Sequence, residues 1–164
     1  MRVCRSFPSA ISVRWLGALL IILLSAVTLG GCAIRLAPSH DASLVQGLEQ
    51  TTEKTMGLFA EVADGAERDT YPDRAAAYNE IIGKAEALRL SALVRPVPPP
   101  SFLSKSDTGS SVTPEILIEV IKTVRTMQRT DRTLGLRSSL VQGFKQSFET
   151  SMAQALFYEK ALQR

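Results

Sequence analysis

Apolar residues recur three and four positions apart along most of this chain, after an N-terminal stretch that is apolar with no phase. Residues 16–28 carry no charge at all. Over 41–66 the positions Leu44, Leu48, Met56, Phe59, Val62 and Ala66 keep the helical spacing, and Thr52 and Thr55 bridge the gap. That is the stripe of an amphipathic helix, with Asp41 placed to cap its start and Gly65 near its end.

A second stripe, Tyr78, Ile81, Ile82, Ala85, Leu88 and Ala92, follows Tyr71-Pro72-Asp73. Proline fits the first turn of a helix because the hydrogen bond it cannot donate is not needed there. This helix must stop near Val94, since Pro96 disfavours helical backbone in the residue before it. Residues 95–113 contain Pro96, Pro98, Pro99 and Pro100 and then the Ser/Gly-rich stretch 104–111, the composition of a linker. Thr113-Pro114-Glu115 opens a third helix, with threonine as expected N-cap and an acidic residue favourable to the dipole. Its stripe is Leu117, Val120, Ile121, Val124 and Met127, and Gly135 is the expected break. A fourth helix from Ser138 to the C-terminus places Leu140, Val141, Phe144, Phe148, Met152, Ala155, Leu156 and Leu162 inward.

No window alternates apolar and polar residues between turn signals, so no sheet is expected. The fold class is all-α. Short connections at 67–71 and 134–137 make antiparallel hairpins, and the linker joins two of them into a small antiparallel bundle of about four helices spanning 41–164. The competing expectation is that Gly135 does not break the pattern, because one glycine costs only about 1 kcal/mol relative to alanine. Residues 114–164 would then form one helix of roughly 75 Å at 1.5 Å per residue.

The unphased N-terminal run has a different meaning. Arg2, Arg5 and Arg14 precede it, and Leu29-Gly30-Gly31-Cys32 follows, the order of basic region, apolar core and small-residue cleavage site found in secretory signals. An uncleaved membrane span is the competing reading, but 15–31 is near the lower length limit for crossing a bilayer. Ending in Gly-Gly-Cys, residues 1–32 resemble a bacterial lipoprotein precursor with its lipobox. The resemblance implies a signal peptide 1–31, cleavage between Gly31 and Cys32, acylation of Cys32, and a lipidated tether 32–40. It further implies that Ala33, standing where an aspartate would retain the protein at the inner membrane, directs it to the outer membrane, facing the periplasm, in a Gram-negative cell. Two or three acyl chains make such an anchor stable, at about 0.8 kcal/mol per buried methylene.

Cleavage changes the charge. The formal +3 arises from 19 basic and 16 acidic residues, and the signal holds three of the basic ones, so the remaining chain is balanced at 16 and 16. A nucleic-acid partner is therefore excluded on charge. Cys4 and Trp15 leave with the signal and Cys32 is acylated, so no thiol remains for a disulfide, a zinc site or a nucleophile.

Candidate chemistry is sparse. His40 is the one histidine, near the tether, and is expected to be solvated. Without a Glu-x-x-His pair the usual di-metal bundle is excluded, and without a Gly-x-Ser-x-Gly turn so is the hydrolase elbow. Glu49 and Glu53 share a helical face and are expected to be solvated, and the proline run is expected to be a spacer. No cofactor or metal is expected, and no catalytic residue can be assigned. One surface feature differs: Lys122, Arg125, Arg129 and Arg132 form a basic stripe roughly 140° from the apolar one at 100° per residue. It is either a contact for an acidic protein surface, lipid phosphates or an anionic polymer, or it is paired within the chain with acids such as Glu49, Glu53 or Glu61 or simply solvated.

The function these features favour is a non-enzymatic, membrane-anchored interaction module whose bundle binds another envelope component. The alternative is a bundle enclosing a small apolar ligand or lipid. Eight residues, 33–40, separate anchor from helix, a reach of at most about 28 Å, so the bundle stays near its membrane.

Overall fold

The computed structural model describes residues 38–96 and 112–163, which belong to one compact unit, Arg35–Arg164. The signal 1–31, Cys32 and most of the linker lie outside the described residues. Helix α1 is Ala42–Glu61, α2 is Tyr71–Leu93, α3 is Thr113–Leu134 and α4 is Ser138–Ala161.

Asp41 caps α1 from extended backbone, its carboxylate accepting the amides of Ser43 at 2.9 Å and Leu44 at 3.2 Å. The Ser43 hydroxyl donates to the same oxygen and holds this acid below the usual carboxylate range. At the other end α1 stops at Glu61, short of the expected 66. Val62 stays buried and in phase, but Gly65 takes φ +103°, and a Cβ there would meet the Leu136 carbonyl at 2.7 Å. Periodicity overran because the chain leaves the helix while keeping its apolar residues inward.

Gly135 ends α3 at φ +75°, where a Cβ would lie 2.6 Å from the Ala66 carbonyl. The single helix over 114–164 is therefore ruled out. Both glycines serve one feature that had no sequence signal, a two-residue antiparallel ladder of β1, Gly65–Ala66, with β2, Leu136–Arg137. Gly65 faces Arg137 and Ala66 faces Leu136, so the turns of the two hairpins are stitched together. Strands of two residues are too short to alternate, and the expectation of no sheet is corrected to that extent.

The bundle runs up-down-up-down, with α2 packed between α1 and α3, and α4 packed between α3 and α1. Both hairpin turns occupy one end. The start of α1, the end of α2, the start of α3 and the end of α4 share the other, called here the tether end. Leu48, Tyr78, Ile81, Leu117, Val120, Val141 and Phe148 are fully buried in the core, and Phe59 meets Phe148 with ring centroids 5.8 Å apart. The α3 stripe is inward as expected at all five positions. Leu140 is not: Val141, Phe148, Met152 and Ala155 set the buried face, and Leu140 lies one residue, about 100°, out of that phase.

Four glycines interrupt helices, for different reasons. At Gly47 a Cβ would stand 2.4 Å from Leu88 Cδ2, so α1 and α2 approach closely there, whereas nothing lies within 4 Å of the Cβ position at Gly57, Gly83 or Gly143. Alanine at each of these three should raise stability by roughly 0.5–1 kcal/mol through helix propensity alone. Gly47→Ala should gain less or destabilise, because Leu88 must move. Urea unfolding of the four variants checks this ordering.

Candidate functional site

Charged groups gather in three places: a buried cluster near each end of the bundle and an exposed groove between α2 and α3. In the turn-end cluster the Arg74 guanidinium donates Nε to Asp131 Oδ2 at 2.9 Å and Nη2 to Oδ1 at 2.8 Å, with side-chain exposures of 6% and 0%. Its Nη1 donates to the Thr70 hydroxyl at 3.0 Å and its Nη2 to the Glu67 carbonyl at 3.4 Å. The Tyr78 hydroxyl donates to Asp131 Oδ2 at 3.1 Å, and Tyr71 stacks on Tyr78. The bond to Asp131 raises the pKa of Arg74, while burial and then the Asp131 charge push the Tyr78 phenol far above its usual range. The cluster is saturated with internal partners and acts as a clamp from α2 to α3.

The tether-end cluster is built on Glu159, wholly buried on α4. Arg95, just past α2, donates Nη1 to Oε2 at 2.6 Å and Nη2 to Oε1 at 2.7 Å. The Thr113 hydroxyl donates to the same Oε1 from the start of α3. Thr113 is thus not the N-cap; Val112 holds that position without a side-chain cap bond, and the hydroxyl serves Glu159 instead. Ahead of α1, the Ser39 carbonyl accepts from Arg95 at 3.4 Å and His40 Nδ1 lies 3.3 Å from the Glu159 carbonyl. His40 is therefore half-buried and engaged, not a solvated end. One carboxylate side chain and its backbone gather segments from all four helix ends.

Neither cluster was anticipated, although a signal existed. Arg74 stands four residues before Tyr78, Asp131 four after Met127, and Glu159 four after Ala155. Each charge is in phase with an apolar stripe, which places it inside and demands a partner. Arg95 lies beyond a helix end and has no such phase.

The basic stripe is exposed on α3, as expected. Its acids are not those expected: Glu49, Glu53 and Glu61 belong to α1, across the ring from α3. Instead Glu86 of α2 pairs with Arg125 at 3.1 Å and with Arg89 at 2.9 Å, and Glu119 of α3 sits 3.4 Å from Lys122. Among the described residues no carboxylate pairs with Arg129 or Arg132. Two open hollows share Arg125 and Arg129 along this seam. One, of about 330 Å³, adds Glu86, Arg89, Ile118 and Lys122; the other, of about 450 Å³, adds Tyr71, Asn79, Gln128 and Arg132. A Gln128–Asn79 bond at 3.0 Å ties the two helices beneath the stripe.

The remaining candidates add no chemistry. Glu49 pairs with Lys160 at 2.7 Å, and Glu53 is exposed. Among the described residues no group of three His, Cys, Asp or Glu side chains could hold a metal ion, and no helix is long and apolar enough to cross a membrane. Gly31 and Cys32 lie outside the described residues. Comparison with protein-family models, curated proteins and solved structures finds no match for this chain.

Breaking a buried pair from one side strands the other charge, so Asp131→Ala should cost roughly 3–5 kcal/mol. The double replacement Arg74→Met with Asp131→Leu should recover most of that loss, because no charge is then left buried. Thermal unfolding of both proteins distinguishes this from simple addition of two losses.

Proposed function

We propose that this chain is a lipoprotein, cut after Gly31 and held in a bacterial envelope membrane by acyl chains on Cys32, whose bundle binds another envelope component without catalysing a reaction. The Arg2/Arg5/Arg14 region, the uncharged run and the Gly-Gly-Cys ending support the anchor. Ala33 favours the outer membrane, facing the periplasm, if the cell has two membranes. The carboxylates of both buried clusters are engaged by groups of this chain, Asp131 by Arg74 and Tyr78 and Glu159 by Arg95 and Thr113, which supports a module that recognises rather than reacts.

The observation that carries the binding role is the α2–α3 groove, where Arg129 and Arg132 stand exposed with no carboxylate beside them among the described residues. Guanidinium groups at helical spacing match carboxylates on a partner protein, each capable of a bidentate, charge-assisted pair. Tethering by a short segment raises the concentration of this groove relative to neighbours on the same membrane. Polar and charged residues line the groove heavily, which favours a protein surface over an enclosed apolar ligand.

Crosslinking in cells, followed by capture of the natively processed protein, tests both parts. Intact mass should show Cys32 as the acylated N-terminus, and Cys32→Ala should release the protein from membranes. A captured envelope protein should be lost with Arg129→Glu plus Arg132→Glu while helicity by circular dichroism is unchanged. Undiminished capture would remove the groove from the proposal, and an unmodified Cys32 would remove the anchor.

A further inference from the structure

Exposed apolar side chains are not spread evenly over the bundle. Eight large ones are exposed among the described residues, and five of them, Leu90, Leu93, Val94, Val112 and Phe157, lie at the tether end. Val94 and Phe157 are 81% and 79% exposed. Single exposed apolar residues are ordinary, but a collar of them contributed by α2, α3 and α4 at one end is a surface that water solvates poorly. We infer that the tether end of the bundle rests on the bilayer, with Leu90, Leu93, Val94, Val112 and Phe157 entering its interfacial layer. This rests on the reading of Cys32 as the lipidated anchor.

The position of the chain outside the described residues identifies the occupant. The path enters the bundle at Pro38, and five residues stand between Cys32 and Pro38, so that the six steps reach at most about 21 Å. Acyl chains on Cys32 therefore keep this end within that distance of the membrane, while α4 is about 36 Å long at 1.5 Å per residue. The far end has no such restraint. Leu90 and Phe157 sit three and four residues inside their helix ends, about 5–6 Å at that rise, which matches the depth to which interfacial elements enter, about 5–10 Å.

Charge at this end is partly hidden, although Glu115 in the first turn of α3 stays exposed. Arg95 and Glu159, which a bilayer would otherwise have to desolvate, are already buried against one another. Arg89 and Lys160 flank the collar, and long cationic side chains keep their heads at the phosphate level while their stems lie along apolar surface. Each of these two is also paired, with Glu86 and Glu49, so neither is a lone charge on the face.

Tryptophan scanning tests the arrangement, because Trp15 is the chain's one tryptophan and leaves with the signal. The acylated protein carrying Phe157→Trp, and separately Leu134→Trp at the turn end, is reconstituted in vesicles of phosphatidylethanolamine and phosphatidylglycerol with brominated acyl chains. Both positions are exposed, so neither substitution disturbs the core. Severalfold stronger quenching and a blue-shifted emission for Phe157→Trp would support the inference. Equal quenching of the two, or none at Phe157→Trp in protein that floats with the vesicles, would overturn it and leave the anchor standing. Intact mass of the same sample reads the anchor independently, and an unacylated Cys32 would overturn both.

Discussion

A buried carboxylate must be answered by positive charge and hydrogen bonds, or its burial destabilises the fold. Glu159 meets that demand with groups from different helices, Arg95 after α2 and Thr113 at the start of α3, while the segment leading into α1 joins through the Ser39 carbonyl, which accepts from Arg95, and His40, which lies against the Glu159 backbone carbonyl. The rest of the bundle depends on this constraint, because within each hairpin the chain itself enforces proximity, but between hairpins it does not. Besides exposed side-chain pairs, three devices join the hairpins at their ends: the buried Glu159 node at the tether end, and the buried Arg74–Asp131 clamp and the β1–β2 ladder at the turn end. All are polar and directional. An apolar core of similar volume accepts sliding and repacking at modest cost, whereas a bidentate guanidinium–carboxylate pair has one geometry. The apolar stripes therefore supply the drive to associate and the buried polar groups fix the register.

Such a frame also defines the surfaces. The Arg74–Asp131 clamp and the Gln128–Asn79 bond hold α2 against α3 beside the basic seam. At the tether end the Glu159 node withdraws two charges from the surface and leaves a collar of apolar side chains around it. The groove runs along the helices and reaches the tether end at Arg89 and Ile118.

Much of the fold was legible in the chain. Helical phase located α2 to within one residue, the full α3 stripe and the split at Gly135, because long amphipathic segments bounded by Pro72, Pro114 and Gly135 leave little choice of state. What escaped was local or non-periodic. The ladder is two residues wide, Val62 continued a helical spacing after the helix had ended, and Thr113 looked like a cap because nothing in one dimension shows a glutamate waiting 46 residues away. The basic stripe was found by spacing alone. Of its acids, Glu119 lies three residues before Lys122 on the same helix and was open to the same reading, whereas Glu86 is set by which helix lies beside α3 and not by sequence distance. Three of the four buried charges, Arg74, Asp131 and Glu159, were visible in principle, each four residues from a core position, but a charge in phase with a stripe reads as an interruption until its partner is known.

Hydrogen exchange on Glu159→Gln tests the dependence most directly, because the substitution keeps the volume of the side chain and removes its charge. Amides in the last turn of α2, the first turns of α1 and α3, and the end of α4 should lose protection together, with the turn end unchanged. Loss confined to the few residues of α4 around position 159 would contradict the role of this carboxylate as the node on which the four helix ends converge.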